Sequence, residues 1–217
     1  MSYQMVYNLF TATGETLYMV VISTLFAILF GLPLGTLLYS SKHIKPNPTL
    51  HKTISALINI FRSIPFIILL VAIIPLTRLL VGTSIGMNAA IVPLSIGATP
   101  FFARLVDNVF QSLSDGLIET GYAMGASTRQ IILHILLPEA RPGLIHAITV
   151  TAITLVNYSA MAGTVGAGGL GTLAINYGYQ RFDAVVMVLT VIVLIVMVQL
   201  IQMFGDYLAK RCGAYTK

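Results

Sequence analysis

The 217-residue chain has the length of one domain, yet only 9% of it is Asp, Glu, Lys or Arg, against about 25% in ordinary soluble proteins. With 57% hydrophobic residues and a mean hydropathy of +0.90, too little polar material remains to cover a compact domain in water, so most of its surface is expected to meet lipid. The net charge of +5 comes from twelve basic residues scattered between long apolar runs, without the basic stripe and interleaved aromatics of a nucleic-acid interface.

A helix crosses the hydrocarbon core in about 20 apolar residues, and five spans are expected in chain order, at about 17–39, 54–80, 88–110, 143–162 and 184–204. The first lies in a charge-free run between Glu15 and Lys42. It is too long for a signal peptide and lacks a small-residue cleavage site, so it is expected to remain in the chain. Gly31, Pro33 and Gly35 punctuate it, Pro65 and Pro75 the second span, Pro93 and Pro100 the third. Close helix packing and a moving hinge are the two readings of such breaks. Arg62 and Arg78 fall near the ends of the second span, where long side chains reach the headgroups. Arg104 and Asp107, three residues apart near the inner end of the third, can pair on one helical face.

Between the third and fourth spans runs the longest hydrophilic stretch, 112–141. Residues 116–124 suit a short helix that Gly125 ends in the left-handed conformation. Ser127 then caps a second helix with Gln130 as reciprocal partner, and Pro138 is expected to stop it. The glycine-rich stretch 163–183 after the fourth span reads as a loop. Lys42, Lys45, Lys52, Arg62, Arg129, Arg141, Lys210, Arg211 and Lys217 then fall on one side, against Arg78 and Arg181 on the other. By the positive-inside bias the N-terminus is expected outside and the C-terminus in the cytoplasm. The fold class is thus an all-α integral membrane protein, a single domain over 1–217 with one cytoplasmic loop at 112–141.

That loop carries a pattern. Glu119-Thr120-Gly121, then Gly125, then nine residues, then Ile135-Leu136-Leu137-Pro138 resembles the cytoplasmic "EAA" loop of ABC importer permeases, E-A-A, three residues, G, nine residues, I-x-L-P. Thr120 and Gly121 depart from the two alanines. Phe61 to Leu70, the turn 81–86, and the run from Tyr158 to Gly171 are similar to the methionine-uptake subgroup. The resemblance implies a type I importer permease with five transmembrane helices per subunit, in the bacterial cytoplasmic membrane. It also implies a homodimer on two copies of a separate ATPase that binds MgATP, fed by an extracytoplasmic methionine-binding protein.

The residues agree with that division of labour. None of the five lysines follows a glycine, so the chain has no phosphate-binding Gly-Lys-Ser/Thr loop. No catalytic residue, cofactor or metal site is expected; His43, His51, His134 and His146 lack ligand spacing, and Cys212 is the single cysteine. Coupling to the ATPase is assigned to Glu119, Thr120, Gly121, Gly125, Ile135, Leu137 and Pro138. For Glu119 alone, a carboxylate favoured by a helix N-terminus is the other reading. Asn157, Tyr158, Ser159 and Met161 are candidates for the translocation path, although Met161 can equally be core packing. Gly166, Gly168 and Gly171 spell G-x-G-x-x-G, but no strand precedes them as a dinucleotide fingerprint requires. With Gly169 they are read as an external gate loop, or as tight packing. The competing functions are a permease for another amino acid or small solute, a secondary carrier, and a membrane enzyme. The second lacks an acidic residue at the centre of any span, and the third lacks a catalytic cluster.

Overall fold

The first element, α1 (Tyr3–His43), is a continuous helix of 41 residues, about 60 Å long at 1.5 Å per residue and about twice the hydrocarbon thickness. The computed structural model describes residues 3–114 and 116–213; Lys217, at the C-terminal end expected in the cytoplasm, and Asp115 in the hydrophilic loop lie outside the described residues. The stretch 17–39 is thus the middle of a longer rod. Pro33 does not break it; the proline is exposed, and a second helix, α5 (Met87–Gln111), packs on the other side, along Gly31 and Gly35. A Cβ on Gly31 would lie 2.9 Å from the Phe102 ring, and one on Gly35 would lie 2.7 Å from Val106 Cβ. The glycine pair is therefore a close helix contact, as its spacing suggests.

The stretch 54–80 is not one helix. It belongs to α2 (Pro48–Ser63), α3 (Phe66–Ala72) and α4 (Ile74–Val81), with α2 and α3 bent by 97°. The helix starts at Pro48 because Asn47 Oδ1 accepts from the Leu50 N–H at 3.1 Å, with proline at the first helical position; both are favoured start signals. The bend follows from Pro65, which has no N–H and forces Ile64 into extended backbone (φ −79°, ψ 122°). Ile54 and Ile58 seat α2 on Leu38 and Ala103.

A polar clamp reinforces this seat. Arg104 Nη1 meets Asp107 Oδ2 at 3.2 Å, while Nη2 donates to Ser55 Oγ at 3.1 Å and Asn59 Oδ1 at 3.0 Å. Gln111 Nε2 donates to the same Asp107 oxygen at 2.9 Å, so one oxygen of the buried carboxylate takes both donors. The pair expected within α5 thus also holds α2, a link across 45 residues or more that sequence spacing does not reveal.

After α5 come α6 (Gly116–Ala123), α7 (Thr128–Gln130), a π-helical turn (Ile131–Leu136) and α8 (Leu137–Glu139), then the long α9 (Arg141–Ala162). Pro138 does not stop the second loop helix as expected. The Leu137 N–H reaches Ile132 O, five residues back, and the Ala140 N–H reaches Leu136 O, four back. Proline's missing donor falls where the ladder changes from one spacing to the other, so nothing is lost.

The stretch 163–183 is also more than a loop. A 3₁₀ turn (Gly163–Val165), α10 (Gly169–Leu173) and a second π turn (Ala174–Tyr179) lead to α11 (Ala184–Gly213). Four helices, α1, α5, α9 and α11, are long and apolar enough to span a membrane, and the bent α2–α3 pair makes five if counted as one span. Among the described residues every regular element is helical. Thr24, Thr99, Thr151 and Thr190 inside the spans each donate to the carbonyl four residues back, at 2.7 to 2.8 Å, as suits a medium without water, whereas Ser23 and Ser95 Oγ are buried without a partner among the described residues. On α11, Val188, Ile192, Ile195 and Leu200 are exposed, which suits a lipid-facing helix.

Candidate functional site

Three sets of residues are the candidates for function; the structure sets the first apart and brings the second and third into contact at Ala160 and Gly171. The first is the 112–141 lobe at the end of α5. Helix α6 ends in a Schellman turn: the Gly125 N–H donates to Tyr122 O at 2.9 Å and the Ala126 N–H to Gly121 O at 3.0 Å. Gly125 supplies the left-handed residue, with φ +75°. The capping box follows as read, the Ser127 N–H donating to Gln130 Oε1 at 2.8 Å and the Gln130 N–H to Ser127 Oγ at 3.4 Å.

The departure from alanine at Gly121 has a packing reason. Gly121 is buried, and a Cβ there would come within 3.0 Å of both Ile131 Cγ1 and Ile135 Cδ1. Ile135 thus packs the two loop helices together, with Leu137 and Pro138 half-buried behind it. Thr120 is exposed and its hydroxyl donates to Gly116 O at 2.7 Å. Glu119 is exposed and has no hydrogen bond or ion pair among the described residues. It occupies the first turn of α6, where the helix dipole favours a carboxylate, and it remains free for an outside partner. The Tyr122 hydroxyl donates to Ile44 O at 2.5 Å, tying the lobe to the end of α1; nothing in the motif spacing singled this residue out.

The second set lies on α9. Tyr158 is half-buried and stacks on Phe66 of α3, ring centroids 4.3 Å apart and 3° from parallel. Asn157 and Met161, one turn apart, are exposed on a neighbouring face of the helix. A polar side chain exposed on an apolar span suits a protein interface or a water-filled passage better than lipid. Ser159 differs from the other three: it is buried, and its hydroxyl donates to Val156 O at 2.7 Å, so it packs inside the subunit.

The third set is the glycine turn between α9 and α10. A Cβ on Gly163 would lie 2.7 Å from Gly171 Cα, and one on Gly171 2.6 Å from Ala160 Cα. Two backbones cross at that point. Gly166, Gly168 and Gly169 have φ of +82°, +90° and +73°, and Gly166 O accepts from the Gly86 N–H at 2.9 Å. The G-x-G-x-x-G spelling follows a helix here and opens one of five residues, so the dinucleotide reading fails on structure as well.

Glu15, read from sequence only as the edge of the first span, anchors this turn. Its Oε2 accepts from the Gly169 N–H at 2.6 Å, and Thr16 Oγ1 accepts from the Leu170 N–H at 2.9 Å. The start of α10 is thus capped from α1, 154 residues away. Removing this acceptor in Glu15→Ala strands a charge-assisted donor and should cost about 1.5–3 kcal/mol. Glu15→Gln, which keeps a carbonyl oxygen, should cost less than half of that. Thermal melts of the purified variants check both.

Comparison with known proteins places the chain. Residues 27–213 match the profile described as "Binding-protein-dependent transport system inner membrane component". The chain is 51% identical over 205 residues to the probable D-methionine transport system permease protein MetI of Vibrio cholerae, covering 94% of this chain and 91% of that one. To the D-methionine transport system permease protein MetI of Escherichia coli K12 it is 54% identical over 165 residues, 75% of this chain and 76% of that one. Its structure superposes on a chain of the MetNI methionine ABC transporter in an inward-facing conformation with TM-score 0.96 and 51% identity, covering 98% and 99% of the two chains. An amino acid ABC transporter crystallised with histidines shares the fold at TM-score 0.77 and 18% identity, over 95% and 94%. The five-span reading, the membrane bundle and the loop motif therefore converge: the chain belongs to the family of inner-membrane components of binding-protein-dependent transport systems.

Proposed function

We propose that this chain is the permease subunit of an ATP-driven importer that carries methionine, as the L or D isomer, across the bacterial cytoplasmic membrane by alternating access. Two copies form the passage, two copies of a separate ATPase bind and hydrolyse MgATP, and an extracytoplasmic methionine-binding protein delivers the substrate. The N-terminus faces outward and the C-terminus the cytoplasm. The observation that carries the proposal is the 112–141 lobe, where an exposed carboxylate, Glu119, stands on a helix closed at its C-terminal end by the Gly125 turn and packed through Gly121 on Ile131 and Ile135. Such a helix can transmit force without unfolding.

In this reading α6 sits in a groove of the ATPase. Closure of the nucleotide-bound ATPase pair moves α6, and the movement passes to α5 and α9, which flank the lobe in the chain, and to α1 through Tyr122. Asn157, Tyr158 and Met161 border the passage; Gly166, Gly168, Gly169 and Gly171 form its outer gate. The chain itself makes and breaks no covalent bond.

The identity with proteins named as methionine permeases supports the substrate, and the exposed Asn157 supports a paired subunit. Reconstitution with the ATPase and binding protein, followed by uptake of labelled methionine, tests the proposal. ATP-dependent accumulation is expected. Uptake without ATP would show a carrier instead, and ATP-dependent uptake of a different solute would overturn the substrate.

A further inference from the structure

At the bend between α2 and α3 lies a cavity of about 110 Å³, lined by Phe61, Arg62, Phe66, Gly97, Phe101 and Tyr158 among others. Gly97 and Phe101 fall near the midpoint of the 25-residue α5, so the cavity beside this arginine lies about 15–21 Å from either end of that helix at 1.5 Å per residue. That is too deep for the headgroup position that the arginine's place in the sequence suggests.

Three other arginines of the spans and their edges have partners, while Arg141 at the start of α9 and Arg211 in the last turn of α11 stand at helix ends. Arg104 is held by Asp107, Ser55 and Asn59, Arg78 by Ser84, and Arg181 lies over the Tyr177 ring. Arg62 is exposed to the cavity and has no hydrogen bond, ion pair or ring contact among the described residues. It stands in the last turn of α2, where the helix dipole favours a cation, but that leaves its forked donors unoccupied. An unpaired charge at mid-membrane marks a site by default.

We infer that this cavity is a substrate-recognition site in which Arg62 binds the α-carboxylate of the transported amino acid while Phe61, Phe66, Phe101 and Tyr158 receive its side chain. A guanidinium takes a carboxylate through two parallel N–H donors. The aromatic walls supply favourable contacts for a thioether sulfur and disfavour a hydrated inorganic anion. The stack of Tyr158 on Phe66 joins α9 to the bend, so a change in the angle between α2 and α3 opens or closes the cavity. The inference rests on the importer reading above and adds to it the residues that meet the substrate.

The experiment uses vesicles holding the permease, its ATPase and saturating loaded binding protein. Uptake of labelled methionine and ATP hydrolysis are measured together for wild type, Arg62→Gln and Arg62→Lys, in neutral phospholipid alone and with an anionic phospholipid added. Arg62→Gln should lower uptake at least about tenfold, the loss of about 1.4 kcal/mol of recognition, with ATP hydrolysis retained within about twofold. Arg62→Lys should recover part of the uptake. Uptake by Arg62→Gln within about twofold of wild type overturns the site. So does joint loss of uptake and hydrolysis, which would make Arg62 an assembly residue, or a defect that changes with anionic lipid, which would assign the guanidinium to headgroups. If wild type carries a different α-amino acid and Arg62→Gln abolishes that uptake, the site stands and the methionine reading falls. If wild type carries no amino acid, both fall.

Discussion

Gly171→Val should prevent the protein from reaching its folded state. The opposing atoms at this position are backbone: a Cβ would lie 2.6 Å from Ala160 Cα and 2.9 Å from its carbonyl carbon. Ordinary overpacking costs about 1–3 kcal/mol because side chains yield; here α9 and α10 must separate, and the cost should exceed about 4 kcal/mol, a large share of a marginal stability. Separation also breaks the cap from Glu15 and Thr16, since Gly169 and Leu170 would leave α1. The expected result is loss of monodisperse protein after detergent extraction. Gly14→Ala is the matched control. Gly14 lies within α1 with nothing within 4 Å of its Cβ position, so alanine there should raise stability by about 1 kcal/mol. A Gly171→Val protein that melts with wild type would refute the crossing of the two backbones.

The contrast between these glycines shows what the sequence could and could not reveal. Apolar runs and sparse charges gave the course of α1, α5, α9 and α11, because span length is a property of a single stretch of chain. The Schellman turn at Gly125 and the capping box at Ser127 were legible for the same reason, since all their partners lie within a few residues. The Asn47-Pro48 start of α2 is equally local, but an apolar run with few charges does not itself show that α2, α3 and α4 are separate helices. The cap on α10 was not legible at all. Its acceptors come from Glu15 and Thr16 on another helix, and a run so rich in glycine has low helix propensity by itself. The surroundings of Arg62 were not legible for a related reason: the cavity beside it forms at the 97° bend that follows it, and position along the chain does not reveal what a broken span brings together. Ser159 stands in the same five-residue window as Asn157 and Met161, and only the facing of α9 separates the buried hydroxyl from the exposed groups.

Gly125→Val should uncouple transport while leaving insertion intact. The position is open, with nothing within 4 Å of a Cβ, so no neighbour is displaced; the penalty lies in φ +75°, which costs an L-residue about 1–2 kcal/mol and a β-branched one the upper end. That strain lowers the population of the native turn by about 5–30-fold. It acts only on the lobe, because the four long helices make no use of the turn. With the turn lost, the Ala126 N–H leaves Gly121 O, α6 swings away from Ile131 and Ile135, and Glu119 loses its fixed direction. Uptake should fall at least about tenfold, and hydrolysis stimulated by the binding protein should fall with it, while membrane yield stays near wild type. Gly125→Asn separates the causes, since asparagine tolerates the left-handed conformation better than other residues with a Cβ. It should retain most of the activity. Normal uptake by Gly125→Val would show that the lobe need not hold this shape to receive force. An equal loss in Gly125→Asn would show that a side chain at this point obstructs the partner, and the turn conformation would no longer be the cause.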